Sequence, residues 1–520
     1  MQFIGGKNRT QSILFPQSLD QIISSDNEVR IIDLFVESLK LEDYHFVMKT
    51  TKEGRPAYHP KDLLKLFVYG YLNHIRSSRQ LEKECHRNIE LMWLMKQLAP
   101  DHNTISNFRR DNEKAIKKVF RYTVSIAKQF DLIGGKLIAG DGTKLRAQNS
   151  KKNNFNEDKI ERHMAYIDAR LEEYNKALAT ADEDNKKIIE EEIKKHKGRK
   201  DNYENMQRTL EETGEAQIST SDPESRQLMI RNNITEVAYN VQTVVDAKHN
   251  IPIDYKVTNE NDTRAMSGML RRTKKILGTS DFTALYDKGY HTGSEIKMAV
   301  TSGINIMVAV PGIASVAPDE QYNMSHFIYD EIHDTYTCPQ NQVLTTNGNP
   351  YQKSKNLHYY TVKHYKTHAC PGCPARTLCT KNTKGRLIER SEFAPYMEQN
   401  KRNIEASPQL YKQRQSIVEH PYGTIKRQWG FYYVITKKGI KRASADVGFM
   451  FIAYNLRRLM NIIDKAKFTK FLQELVFIIF SGISVLAKAI IAKIRLPFFY
   501  HRNCKLFFST LTIPLKLNYI

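Results

Sequence analysis

Two short apolar segments, each ending near an aspartate, constrain the fold of this chain more than any other feature. Residues 136–142 read KLIAGDG and include Asp141, and residues 282–287 read FTALYD and end in Asp287. Each segment has the length and apolar composition of a buried strand. We therefore predict two interior strands of one sheet, each with an aspartate at its C-terminal end.

The segments between and after these strands predict the rest of that sheet. The sequence AYNVQTVVDA (residues 238–247) alternates apolar and polar side chains, and IPIDYKVT (251–258) follows closely, as in an antiparallel hairpin. Apolar periodicity predicts helices over 263–277 and 294–300 and a strand over 304–310. This succession predicts an α/β fold with a mixed sheet.

The segment 411–429, YKQRQSIVEHPYGTIKRQW, adds a third acidic residue in a basic and aromatic setting. A helix is predicted here, interrupted or entered at Pro421. Glu419 and Lys426 are seven residues apart and face the same side if the helix continues through the proline. The neighbouring side chains suited to gripping phosphate oxygens are Tyr411, Arg414 and Lys426.

Asp141, Asp287 and Glu419 are the candidate catalytic and metal-binding residues. Carboxylates that converge from different elements repel each other and persist where divalent cations neutralise them. Two Mg²⁺ ions about 3.5–4 Å apart, which Mn²⁺ can replace, are the known solution for in-line phosphoryl displacement. The plainer alternatives are aspartates in turns and a solvated basic helix.

Residues 1–130 predict a run of helices with short joints. The predicted helices cover 28–41, 61–74, 79–87 and 89–98, and a fifth begins at Asp101. The segments SRQLEKEC and NTISNFRR are typical of helix-turn-helix pieces, with Arg109 and Arg110 available to contact DNA. A helical bundle that serves oligomerisation is the alternative.

Two insertions are predicted in the α/β core. Residues 151–220 carry apolar side chains at heptad spacing, which predicts an antiparallel helical hairpin for DNA contact, dimerisation or spacing. Residues 311–387 contain a cysteine cluster that includes a C-x₂-C pair. A structural Zn²⁺ site and four reduced thiols are the two interpretations of this cluster. The cysteines concerned are Cys338, Cys370, Cys373 and Cys379.

The charge of the chain indicates its partners. The net charge is +22 and the isoelectric point is about 9.4, values typical of proteins that meet nucleic acid or an anionic membrane. No apolar signal-peptide region follows the N-terminal methionine, and the cysteines form no secreted disulfide framework, so a reducing cytoplasm is expected. In the basic and apolar tail, residues 465–520, the uncharged run 475–487 is short for a membrane span and predicts a packed helix.

The motifs together resemble those of DDE transposases of bacterial insertion sequences. They are LIAGDGTKLRAQNS, SDPESR, YNVQTVVDAKH, LYDKGYHTG and QSIVEHPYGTIKRQWGF, preceded by a helical segment over 59–110. The resemblance extends over most of residues 20–460. Four residues separate Arg414 from Glu419, where the common family pattern has three.

The resemblance implies an RNase H-like catalytic core over 136–310 and 388–464, behind an all-helical DNA-binding domain. It implies Asp141, Asp287 and Glu419 as the metal-binding acids. Tyr411, Arg414, Glu419 and Lys426 match the family's Tyr-Arg-Glu-Lys signature. It further implies double-stranded DNA as the partner, at transposon ends and at the target, and a homodimer in a synaptic complex at the bacterial nucleoid.

The expected activity is metal-dependent cleavage of DNA at terminal inverted repeats, followed by strand transfer. Two alternatives stay open on the sequence. The first is an RNase H-like nuclease that hydrolyses DNA without strand transfer. The second is a domesticated DNA-binding protein derived from a transposase.

Overall fold

The computed structural model describes residues 18–47, 56–231, 234–312, 317–355 and 358–480. The N-terminal part is helical, as predicted, but residue Asn112 divides the expected fifth helix into two. Its amide donates to the Phe108 carbonyl and so ends the first of these helices. The helices are α1 (Leu19–Ile22), α2 (Glu28–Glu37), α3 (Pro60–Leu72), α4 (Ser78–Arg87), α5 (Ile89–Leu94), α6 (His102–Asp111) and α7 (Glu113–Gln129).

A six-stranded mixed sheet follows these helices, which confirms the predicted α/β class. The strands up to this sheet's end are β1 (Leu137–Arg146), β2 (Asn154–Phe155), β3 (Ile218–Ser219), β4 (Arg226–Arg231), β5 (Ile234–Asp246), β6 (Ile251–Thr258), β7 (Thr283–Tyr286) and β8 (Asn305–Val308). The sheet runs β4–β5–β1–β7–β8, with β6 also paired to β5, while β2 and β3 form a separate ribbon. Strand β1 is antiparallel to β5 and parallel to β7, and β7 is parallel to β8.

Two long helices lie along the chain between β2 and β3. They are α8 (Glu157–Leu178) and α9 (Glu183–Thr213). Their contacts pair early residues of α8 with late residues of α9: the His163 and Tyr203 rings stack, and Lys200 binds Asp168. The two helices are therefore antiparallel, as the heptad spacing predicts.

The cysteine-containing insertion has a sheet of its own, which the sequence analysis did not predict. Its strands are β9 (Ile328–Asp330), β10 (Thr335–Thr337), β11 (Val343–Thr346), β12 (Tyr351–Lys355), β13 (His358–Lys366) and β14 (Ile388–Ser391). All of its pairings are antiparallel. A small core of Phe327, Tyr336, Leu344, Tyr365 and Ile388 closes one face. This aromatic core lets the insertion pack without borrowing apolar residues from the mixed sheet.

Of the remaining helices, the last two that the structure describes contact the N-terminal part. Between β6 and β8 lie α10 (Met266–Leu277) and α11 (Gly293–Thr301), and later come α12 (Arg376–Cys379), α13 (Ala394–Ala406), α14 (Pro408–Tyr422), α15 (Ile440–Ile462) and α16 (Lys465–Phe480). Helix α15 is buried along most of its length because α3, α7 and β6 surround it. The Phe67 and Phe449 rings stack with centroids 4.7 Å apart. One hydrophobic core therefore extends from the N-terminal helices into the mixed sheet.

The start of the basic tail packs on this body. Helix α16 lies against α2, and the Phe471 ring lies 4.8 Å from the Phe130 ring. The rest of the tail, and with it most of the uncharged run 475–487, lies outside the described residues. Among the helices that the structure describes, none is long and apolar enough to cross a membrane.

Candidate active site

The register of β1 and β7 brings the first two predicted acids side by side. Strand β1 was predicted to end at Asp141, but it continues to Arg146 because β5 pairs with its whole length. Ala139 of β1 lies level with Leu285 of β7 in the parallel register. Asp141 and Asp287 each come two residues after this pair, so they are neighbours. The Asp287 side chain accepts a hydrogen bond from the backbone N–H of Gly289, which fixes the turn after β7.

Burial and neighbouring charges perturb the ionisation of Asp141. Burial raises the pKa of this carboxyl to about 6, and the charges of Asp287 and Asp262 act in the same direction. The Arg414 guanidinium and the backbone N–H of Gly142 oppose this rise in the pKa. Because burial disfavours the charged form of Asp141, this carboxylate would gain from a cation bound beside it.

Helix α14 brings two of the predicted phosphate-binding residues to these acids. Ile417 and Val418 are buried against the sheet and orient the helix. The Arg414 Nη1 atom then lies 3.7 Å from Asp141 Oδ2, and the Tyr411 hydroxyl donates to the Tyr286 carbonyl oxygen over 3.0 Å. Arg414 Nη1 is buried and makes no hydrogen bond within the described structure. A buried donor without an acceptor beside a carboxylate indicates room for an oxygen ligand.

The third predicted acid, Glu419, is not brought together with the other two. Its side chain is exposed, and its Oε1 atom accepts a hydrogen bond of 2.8 Å from Gln415 Nε2. The helix also does not break at Pro421, since α14 continues to Tyr422 and a π-helical segment, Gly423–Gln428, follows. Across the described ranges, no three His, Cys, Asp or Glu side chains are arranged to hold a metal ion.

Lys426 reaches the strand that carries Asp141 from the π-helical segment. Its Nζ atom donates to Thr143 Oγ1 over 3.0 Å and to the Lys144 carbonyl over 3.4 Å, on the strand that carries Asp141. The wider turn of a π-helix changes the angular spacing that an α-helix would give to residues seven apart. Lys426 therefore faces β1 while Glu419 faces solvent.

The sequence analysis missed a buried polar network next to Asp141. Asp262 accepts hydrogen bonds from Lys144 Nζ (2.6 Å), Asn240 Nδ2 (2.8 Å) and Gln242 Nε2 (2.7 Å). Burial works to raise the pKa of Asp262, but Lys144 and the two amides hold it below its ordinary value. The signal was present in the motif YNVQ, because two amides at alternate positions of an otherwise apolar strand share one face.

The two arginines predicted for DNA contact differ in the structure. Arg109 was wrongly predicted to be available to DNA: it is 4% exposed and donates to the Tyr71 hydroxyl and the Arg76 carbonyl. Its partner charge is Asp446 of α15, at 3.9 Å. Arg110 is partly exposed and paired with Asp111, so its proposed contact with DNA stays a prediction.

The cysteines of the insertion share one small pocket. Cys338, Cys370, Cys373 and Cys379 all line it and all are reduced. Burial raises the pKa of the Cys379 thiol, and the three other cysteines add to this rise. The four thiols therefore lie near one another in the insertion.

Two known domain families match parts of the chain. The transposase domain DUF772 matches residues 17–111, and the transposase DDE domain matches residues 337–460. The chain is a DDE transposase. The transposase is thus an enzyme that cleaves and transfers DNA strands. The matched ranges include Glu419, Tyr411, Arg414 and Lys426 but neither Asp141 nor Asp287.

Two further comparisons concern whole chains. The piggyBac transposase synaptic complex with hairpin DNA aligns with 86% of this transposase and 80% of that chain, at 8% sequence identity and a TM-score of 0.29. A comparison with the curated proteins finds none that matches.

Proposed function

We propose that this transposase cuts double-stranded DNA at the terminal inverted repeats of its own element and joins the freed ends to target DNA. In this proposal Asp141, Asp287 and Glu419 hold divalent metal ions, Mg²⁺ or Mn²⁺. The observation that carries the proposal is the pairing of Asp141 with Asp287 on adjacent parallel strands, beside the Arg414 guanidinium. A group of charged side chains of this kind contributes little to a hydrophobic core, and it has the composition of a site for phosphodiester chemistry.

The strand order supports an RNase H-like core. Five strands lie side by side in the order β6–β5–β1–β7–β8. Numbered by their order along the chain, this arrangement is 3-2-1-4-5. Strand β5 is antiparallel to both β1 and β6, whereas β7 and β8 run parallel to β1. This is the arrangement of an RNase H-like sheet, in which catalytic acids lie on the first and fourth strands.

The position of Glu419 on α14 supports its role as the third acid. Arg414 and Tyr422 of the same helix both reach Asp141, the first through its guanidinium and the second through a hydroxyl that donates to the Asp141 carbonyl over 3.2 Å. Glu419 lies between them, so its backbone passes beside the acids. Release of the single hydrogen bond from Gln415 frees its carboxylate to turn inwards. We propose this rotation for the DNA-bound enzyme.

The metal ions, when bound, would activate water and stabilise the leaving oxygen of the cut strand. The protein's own part is to orient the DNA. Arg414 offers its unbonded Nη1 to a phosphate oxygen, and Lys426 offers positive charge beside Thr143, two residues after Asp141. Hydrolysis breaks one P–O3′ bond and leaves a 3′-hydroxyl. That hydroxyl then attacks a second phosphodiester, so that one P–O bond forms as another breaks.

Charge and topology support the proposed partner and assembly. A net charge of +22 favours binding to the DNA backbone, and we propose the nucleoid as the place of action. Joining two transposon ends needs two active sites, which favours a homodimer. Arg110 and the N-terminal helices are proposed to contact the inverted repeats.

Substitution of the acids tests this function. Asp141→Ala, Asp287→Ala and Glu419→Ala should each slow cleavage of an inverted-repeat substrate by at least ~10³-fold, or about 4 kcal/mol of barrier, with DNA binding retained. Asp281→Ala is the matched control, because its side chain is 81% exposed and it lies six residues before Asp287. Full cleavage by any of the three variants would remove that residue from the site.

Two assays separate the alternatives. A precut end supplied with Mg²⁺ should be joined to target DNA; hydrolysis without joining would identify a nuclease instead. Inverted repeats that flank the gene should be present for a mobile element, and their absence would favour a domesticated protein.

We further propose a structural Zn²⁺ ion among Cys338, Cys370, Cys373 and Cys379. The shared pocket supports it, since four cysteine thiolates are a common ligand set of structural Zn²⁺. The surrounding aromatic core is small, and a metal would add to its stability.

A further inference from the structure

Asp262 contacts the backbone next to both central acids without being one of them. It begins a short 3₁₀ turn, Asp262–Arg264, after β6. A β-carbon placed on Gly142 would come within 2.3 Å of Asp262 Oδ1, and one placed on Gly289 within 3.8 Å of Asp262 Cβ. Gly142 follows Asp141 directly, and Gly289 binds the Asp287 carboxylate through its backbone N–H. Asp262 therefore packs against the chain beside each acid.

The hydrogen bonds of Asp262 continue to the end of the turn that carries Asp287. Asp262 Oδ1 accepts from Gln242 Nε2, and this fixes which end of the Gln242 amide points at the carboxylate. Gln242 Oε1 consequently faces Tyr290, whose hydroxyl donates to it over 2.6 Å. Tyr290 closes the 3₁₀ turn Lys288–Tyr290, for which Asp287 is the N-cap. The orientation of Asp262 is thus transmitted to the turn that holds Asp287.

The bonding of Asp262 distinguishes a positioning role from metal binding. Lys144 occupies Oδ2, and Asn240 and Gln242 both occupy Oδ1. A carboxylate that accepts three donors, one of them charged, has little capacity left for a cation. Side chains with this arrangement act by fixing the groups that bind directly.

We infer that Asp262, through Gln242 and Tyr290, is a positioning residue that holds Asp141 and Asp287 at the separation a divalent ion requires. The inference rests on the proposed function, in which these two acids bind metal. The Lys144 ammonium neutralises Asp262, so the positioning group adds little charge of its own to the site.

The chain offers a matched pair of tyrosines for the test. Tyr290→Phe removes the hydroxyl that bonds to Gln242, and Tyr286→Phe removes a buried hydroxyl for which the described structure contains no partner. The two rings are neighbours, with centroids 4.8 Å apart. Asp262→Asn removes the charge that holds Lys144 and is the stronger perturbation.

Binding of Mn²⁺ to the full-length, DNA-free chain, followed by electron paramagnetic resonance, is the measurement. Asp262→Asn and Tyr290→Phe should weaken Mn²⁺ binding at least ~5-fold, and Tyr286→Phe should leave it within about twofold of the unsubstituted protein. Thermal unfolding of the metal-free proteins provides the second readout. Equal Mn²⁺ affinity in Tyr290→Phe and Tyr286→Phe, with or without a change in unfolding temperature, would overturn the positioning role.

Asp141→Asn separates this inference from the function on which it rests. If Asp141→Asn abolishes Mn²⁺ binding while Asp262→Asn and Tyr290→Phe leave it intact, the metal site stands and the positioning role fails. If Asp141→Asn leaves Mn²⁺ binding unchanged, the proposed metal site fails and the positioning role fails with it.

Discussion

The metal-free transposase should become more stable when Asp141 is replaced by asparagine. Burial raises the pKa of this carboxyl from an ordinary value of 3.8 to about 6 in the folded protein. The folded protein therefore holds the proton more tightly than the unfolded chain does. As the pH rises from 3.8 through 6, charging of Asp141 costs folding free energy, and above pH 6 the full cost applies. Asparagine keeps the shape of the side chain and cannot ionise.

The size of the effect follows from the two pKa values. A difference of about 2 between them corresponds to about 3 kcal/mol. A quarter of the side-chain surface remains exposed, which lets water and salt screen the charge, so we expect about 1–2 kcal/mol. At about pH 7.5, Asp141→Asn should raise the free energy of unfolding by this amount. At about pH 4.5, the increase should be smaller by about 1 kcal/mol.

Urea unfolding in EDTA, at both pH values, measures this difference. Asp281→Asn is the control for loss of an aspartate, since its carboxylate is exposed and should show little gain at either pH. Saturating Mn²⁺ should reverse the order of stability, because only the unsubstituted protein keeps the ligand. An asparagine variant that is less stable at pH 7.5, or one whose advantage does not change with pH, would refute the account of Asp141.

Three further outcomes are expected. Arg109→Met should lower the free energy of unfolding by about 2 kcal/mol, because Arg109 supports the buried Asp446 carboxylate, and it should leave the DNA affinity of the folded protein unchanged. Arg110→Ala should instead weaken DNA binding with little loss of stability. Urea unfolding and gel-shift titration check both outcomes. Elemental analysis of the purified protein should find about one zinc per chain, and Cys373→Ser should remove it; a zinc-free native protein would contradict the site. Affinity for random DNA should fall steeply between about 50 and 200 mM salt, and a flat response would show that the positive charge serves another purpose.

Local sequence patterns predicted most of the elements, because the pattern of each depends on its own residues. The hairpin of β5 and β6, the helices α10 and α11 and the strands β7 and β8 all lie within a few residues of their predicted positions. The end of β1 could not be predicted in this way. Residues after Asp141 are half-buried and mostly polar, and they are held in a strand by β5, a partner about 100 residues away.

Side-chain directions were harder to predict than elements. Arg109 looked available for DNA because its segment is basic, but Tyr71 and Asp446 bury it, and no local pattern reveals a partner on α15. Lys426 lies beside the strand that carries Asp141 for a reason that periodicity does not contain, since a π-helical segment carries it there. The network around Asp262 was missed although the sequence contained a signal for it, because its amide partners Asn240 and Gln242 lie at alternate positions of β5.

A continuous set of contacts connects the N-terminal helices to the strand that carries Asp141. Arg76, which follows α3, donates to the Tyr433 carbonyl over 2.9 Å and also pairs with Asp446. The segment around Tyr433 in turn pairs with the end of β1, where the Val434 N–H donates to the Arg146 carbonyl over 2.8 Å. Separation of the helices from the sheet would break these bonds and expose the shared apolar core, at a cost of many kcal/mol. Any DNA end that docks on the N-terminal helices is therefore presented to Asp141 and Asp287 by one folded body, and not by two domains on a flexible linker.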